Sequence, residues 1–147
     1  MGTNRLCAGR PYPKMRWTID NSTLPAYICV KVDGPFNTHA VALMCSSILT
    51  NEDFEPGIPM LLDNRKIDVE NDHHSASDMI SRALSAFEDL SGSIPSSCIA
   101  VLMDADKGFV EARQLQYALL LKDLPANIEI FFAEDKAVKW IGLCGSR

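Results

Sequence analysis

The sequence predicts an α/β domain whose elements run β-β-α-β-α-β-α-β-α and open with an antiparallel hairpin. Three observations carry this. Apolar periodicity switches between two and 3.6 residues along the chain, the switches are punctuated by Gly, Pro and Asn, and CIAVLM (98–103) is apolar on both faces. A chain of 147 residues, 47% hydrophobic and 22% charged, is long enough and apolar enough to bury one core without covalent staples. Residues 15–147 read as that single domain. Residues 1–14 read as a loose arm, because Pro11, Pro13, Gly2 and Gly9 discourage regular structure.

The opening strands are 15–20 (MRWTID) and 26–33 (AYICVKVD), which alternate across a turn containing Asn21, Ser22 and Pro25, with Gly34-Pro35 ending the second. Asn37 is a plausible N-cap for a helix that places Val41, Met44, Cys45, Ile48 and Leu49 on one stripe. Pro56-Gly57-Ile58-Pro59 breaks that helix, and PMLLD (59–63) is the next strand. A second helix follows from the spacing of Met79, Ile80, Ala83, Leu84, Phe87 and Leu90, closed by Gly92 and Pro95. CIAVLM must be covered on both faces and belongs mid-sheet. A third helix over 107–122, a strand NIEIFFA (127–133) and a short helix EDKAVKWIGL (134–143) complete the pattern. Lys31 and Glu129 put charge at alternate strand positions, so the two sheet faces are not sealed equally.

Net charge is −5 without a basic block, which removes the electrostatic footprint expected for binding nucleic acid or an anionic membrane. The N-terminal residues lack the apolar core of a secretory signal, and no apolar run approaches a membrane span. Five cysteines, Cys7, Cys29, Cys45, Cys98 and Cys144, cannot all pair internally, and three lie inside apolar patterns. A reducing cytoplasm is the expected location. No CxxC, HxxxH or HExxH spacing is present, so neither a metal nor another cofactor is expected.

Several strings in order resemble one family. They are Val32-Asp33-Gly34-Pro35-Phe36, Phe54-Glu55-Pro56-Gly57, Leu61-Leu62-Asp63, Ile99-Ala100-Val101-Leu102, and Phe132 through Ala137 to Trp140-Ile141. From Trp17 to Ile141 the chain resembles the STAS-like group, named for sulfate transporters and anti-sigma-factor antagonists, and looks closest to small stand-alone bacterial members of SpoIIAA-like fold. The resemblance implies a mixed, mostly parallel sheet of about five strands with about four helices packed mainly on one side. It also implies action by binding rather than by catalysis. In the antagonists an acid, serines and a glycine precede a helix, and serine phosphorylation there switches partner binding. The matching region here is Asp72-His73-His74-Ser75-Ala76-Ser77-Asp78, which keeps the acid and the serines but lacks the serine-serine-glycine pattern.

Read from the residues themselves, Ser75 followed by Asp78 is a capping-box arrangement with a short acid. His73 and His74, adjacent and without further ligands in spacing, read as loop residues. Asp63 with Arg65 beside it, and Asp104 with Asp106, fall near the carboxyl ends of two strands, the edge where open α/β sheets place ligands. These residues, with His73, His74 and Ser75, form the candidate ligand or partner site, although Asp106 also suits an N-cap and Asp63 a turn. No catalytic residue is assigned. The third helix carries apolar residues well beyond the roughly 100° arc that a surface helix needs. Its run Leu119-Leu120-Leu121 is the candidate interface.

Three function classes follow. The first is a non-catalytic interaction or regulatory module that self-associates, most simply as a homodimer, or binds another protein. The second is a carrier of a small apolar ligand or lipid. The third is a metal-dependent hydrolase using the strand-edge carboxylates. The first accounts for the resemblance, the missing catalytic set and the wide apolar helix together. Parallel strands added in chain order through right-handed crossovers also put their helices on one face, leaving the other sheet face as a second candidate surface.

Overall fold

The computed structural model describes residues 14–55, 57–68, 76–95, 97–106 and 109–145. Its strands are β1 (Arg16–Asp20), β2 (Ile28–Pro35), β3 (Met60–Asp68), β4 (Cys98–Leu102) and β5 (Asn127–Phe131), and its helices are α1 (Thr38–Leu49), α2 (Ala76–Ser93), α3 (Phe109–Leu120) and α4 (Glu134–Gly145). They form one five-stranded sheet in spatial order β1-β2-β3-β4-β5. β1 pairs antiparallel with β2, and each later pair is parallel. This is the mixed α/β arrangement that the resemblance implies.

Strand order explains the helix layers. Because β2, β3, β4 and β5 follow one another in chain order, the crossover helices α1, α2 and α3 all fall on the same face. There α2 packs between α1 and α3. They cover Ile28, Val30, Val32, Met60, Leu62, Ile99, Val101 and Ile130, the strand residues of the large core cluster, which also takes in Met44, Ile48, Phe87, Leu90 and Leu115. α4 follows the last strand and is no crossover, so chain handedness does not assign it a face. It lies against β3, β4 and β5 on the opposite side. Only Cys29, Leu61, Ala100, Leu102, Ala137 and Ile141 are buried in that second cluster.

Local chemistry sets the ends of the elements. Asn37 caps α1, its Oδ1 accepting a 3.0 Å hydrogen bond from the Ala40 N–H. On α1 Val41, Met44, Cys45 and Ile48 are buried as the stripe predicts, but Leu49 is 45% exposed. Gly34 does not end β2, which continues through Pro35. It has φ +89°, and a Cβ there would run into the Lys14 carbonyl where the chain enters β1, so only glycine fits without strain. α2 likewise runs through Gly92 to Ser93.

β3 is the largest departure from the sequence reading. Asp63 does not close it, because the strand continues to Asp68 along β2 after a bulge. Between the pairs Lys31↔Asp63 and Asp33↔Lys66, β3 carries one residue more than β2. β4 pairs with β3 only as far as Asp63↔Leu102. A polar tie also went unread in the sequence: Ser91, fully buried on α2, accepts a 2.9 Å hydrogen bond from the Ala126 N–H and so fixes the approach to β5.

Candidate functional site

Asp63 and its neighbours can be built from the bulge. Asp63 lies two residues beyond Leu61 on the α4 side of β3, with a side chain only 14% exposed. Extra length in β3 brings Arg65 back onto it. Arg65 Nε donates to Asp63 Oδ1 at 3.0 Å and Nη2 to Oδ2 at 2.9 Å, a two-pronged match of guanidinium to carboxylate. The Arg65 backbone N–H adds a third bond to Oδ1 at 3.2 Å. Nη2 also reaches Glu134 Oε1 at 3.2 Å, joining the bulge to the first turn of α4.

Burial by itself would push the Asp63 carboxyl up, but the hydrogen bonds and charge of Arg65 outweigh it and hold the carboxyl below its ordinary range. The same contacts push the Arg65 guanidinium up, beyond any accessible pH. A carboxylate held ionised and already accepting three hydrogen bonds is poorly placed to donate or accept a proton in a reaction. Chemically the trio is a clamp between β3 and α4.

Asp104 uses its Oδ1 locally, accepting from the Asp106 N–H at 2.9 Å in a turn after β4. Among the described residues, its bond to Asp106 and the bonds of Asp63 to Arg65 share no partner. Asp106 is exposed, and residues 107–108, which separate it from Phe109, lie outside the described residues, as does the N-cap reading that depends on them. His73, His74 and Ser75 lie outside the described residues, and Ser77 falls in the first turn of α2. Among the described residues no group of three or more His, Cys, Asp or Glu side chains is placed to hold a metal ion.

The leucine run of α3 divides. Leu119 is 8% exposed and belongs to the core, whereas Leu120 and Leu121 are 79% and 88% exposed. Tyr117, 71% exposed, stands three residues before Leu120 on one edge of the helix, and Leu121 follows in the turn that ends it. Sequence alone shows the surplus of apolar residues but not which of them the core takes up. The other candidate surface is not an apolar one. α4 covers its β3–β5 part, and the β1–β2 part carries Arg16, Thr18, Lys31 and Asp33, with Arg16 paired to Asp33 at 2.7 Å.

Two features of the cysteines were not legible in the sequence. Cys98 at the start of β4 is disulfide-bonded to Cys144 near the end of α4, across 46 positions of chain. Cys29 and Cys45 are free and buried, and burial pushes both thiols up.

No protein-family model matches the chain. No curated protein matches it either. Among solved structures, the chain is similar to an uncharacterised protein of the DUF3478 family with a SpoIIAA-like fold from Shewanella loihica PV-4, with 17% identity, 90% of this chain and 98% of that one covered, and a TM-score of 0.49. No helix among the described residues is long and apolar enough to cross a membrane.

Proposed function

We propose that the protein is a non-catalytic interaction module that self-associates as a homodimer through the outer edge of α3. One observation carries the reading: Tyr117, Leu120 and Leu121, within five positions at the end of α3, are large and more than two-thirds exposed, while the helix is anchored by Ala112, Leu115 and Leu119 in the core. Symmetric dimers are the commonest soluble assemblies, and a two-fold contact covers such an edge with its own copy. The engagement of Asp63 by Arg65 favours binding over hydrolysis. Cytoplasmic residence belongs to the same reading: among the described residues Cys29 and Cys45 are unpaired thiols, which suits it, and the Cys98–Cys144 disulfide fits it only as a reversible bond.

Sedimentation and native mass spectrometry test it together. Wild type is expected as a dimer at micromolar concentration with a melting temperature that rises with protein concentration, and Leu120→Glu and Leu121→Glu as folded monomers whose melting no longer depends on concentration. A wild type that stays monomeric at high micromolar concentration overturns self-association. A small molecule retained in the native spectrum moves the carrier reading to first place.

A further inference from the structure

We propose that the Cys98–Cys144 disulfide is a redox latch that holds α4 over the sheet, and that its reduction frees the helix and bares the apolar strand surface beneath. Four observations lead there. First, the fully buried stripe of α4 is narrow, Ala137, Ile141 and Cys144, with Val138 and Trp140 only half-buried beside it, so Ile141 is its single large aliphatic residue that is fully enclosed. Second, its N-terminal attachment, the Arg65–Glu134 ion pair, is exposed, and at mid-helix the Phe131–Trp140 ring contact, centroids 5.6 Å apart, is half-buried at the edge of the cluster. Third, the disulfide is the covalent tie at the other end, joining the last turns of α4 to the first residue of β4. Fourth, no crossover on the α4 side obliges the helix to stay, since it follows β5 and precedes no further strand among the described residues.

A 12-residue helix is marginal on its own, so what keeps α4 formed and docked is its contact with the sheet. Helix ends open most readily, and Cys144 lies in the last turn, where opening admits a reductant. The exchange is balanced. A dithiol attacks one sulfur of the pair through its thiolate, releases the other as a thiolate and then closes to its own disulfide. Two electrons and two protons pass to Cys98 and Cys144, which become thiols. A small-molecule disulfide such as oxidised glutathione reverses the step. In a reducing compartment such a pair is a sensor rather than a permanent staple.

Undocking uncovers Leu61, Ala100 and Leu102 beneath α4 and removes the Ala137 and Ile141 side of the cluster in which Cys29 of β2 is buried. Cys29 is therefore a built-in reporter. The experiment compares wild type equilibrated with oxidised glutathione and with a dithiol reductant, reading hydrogen exchange of residues 134–145 and the rate at which Cys29 reacts with a maleimide. Reduction should speed exchange in α4 roughly tenfold or more, with faster Cys29 labelling and no change in α1 or β4. Cys144→Ala, and independently Cys98→Ala, should show the fast behaviour under oxidising conditions. Peptide mapping that finds Cys98 and Cys144 both free in oxidised glutathione overturns the proposal. So does equal α4 exchange in the two states.

Discussion

The two faces of the sheet are held in different ways. On one, three crossover helices close over β-branched and long aliphatic residues, including Ile28, Val30, Met60, Ile99 and Val101, all 0% exposed. On the other, one helix covers three strands through a handful of small or isolated apolar residues, aided by an ion-paired clamp and a disulfide. The thick face follows from chain order and needs no special chemistry. The thin face depends on particular residues, and those residues are where control of the structure can reside.

The largest expected effect probes the thick face. Ile99→Ala should cost about 3–4 kcal/mol in denaturant titration, because the side chain is fully enclosed and the surrounding helices cannot collapse into the space. Ile141→Ala on the thin face should cost less, about 2 kcal/mol, since α4 can settle toward the sheet. Equal losses at the two positions would erase the distinction between the faces. Next comes Asn37→Ala, which removes the cap of α1 and should cost about 1 kcal/mol, with Asn37→Asp close to neutral.

The smallest effect belongs to the clamp. Asp63 has a folded-state pKa lowered from 3.8, so its contribution is present above the unfolded value and lost as pH falls through the lower folded one. The stability gap between wild type and Asp63→Asn should therefore be flat from about pH 7 to 5 and close in more acid solution. It should stay below about 1 kcal/mol, because Arg65 is 44% exposed and solvent screens the pair. A gap that widens toward acid would mean that the carboxyl is not held ionised by Arg65. Esterase and phosphatase screening of the same variant should find no activity lost.

Read alone, the sequence determined the order of elements, the opening hairpin, the cap at Asn37 and most of the buried stripe of α1. These are local matters: periodicity, turn residues and caps act over a few positions, so a linear reading reaches them. Chain order also implied that three helices would share a face, because crossover handedness is a property of the backbone. What only the tertiary structure decided depends on residues far apart in sequence. The bulge that carries β3 past Asp63 is set by its pairing with β2. The face of α4 is not constrained by any crossover. Leu119 separates from Leu120 and Leu121 according to where α3 meets the rest of the fold. Cys98 finds Cys144 across 46 positions because β4 and the end of α4 are brought together by strands and helices in between, and no spacing rule encodes that meeting.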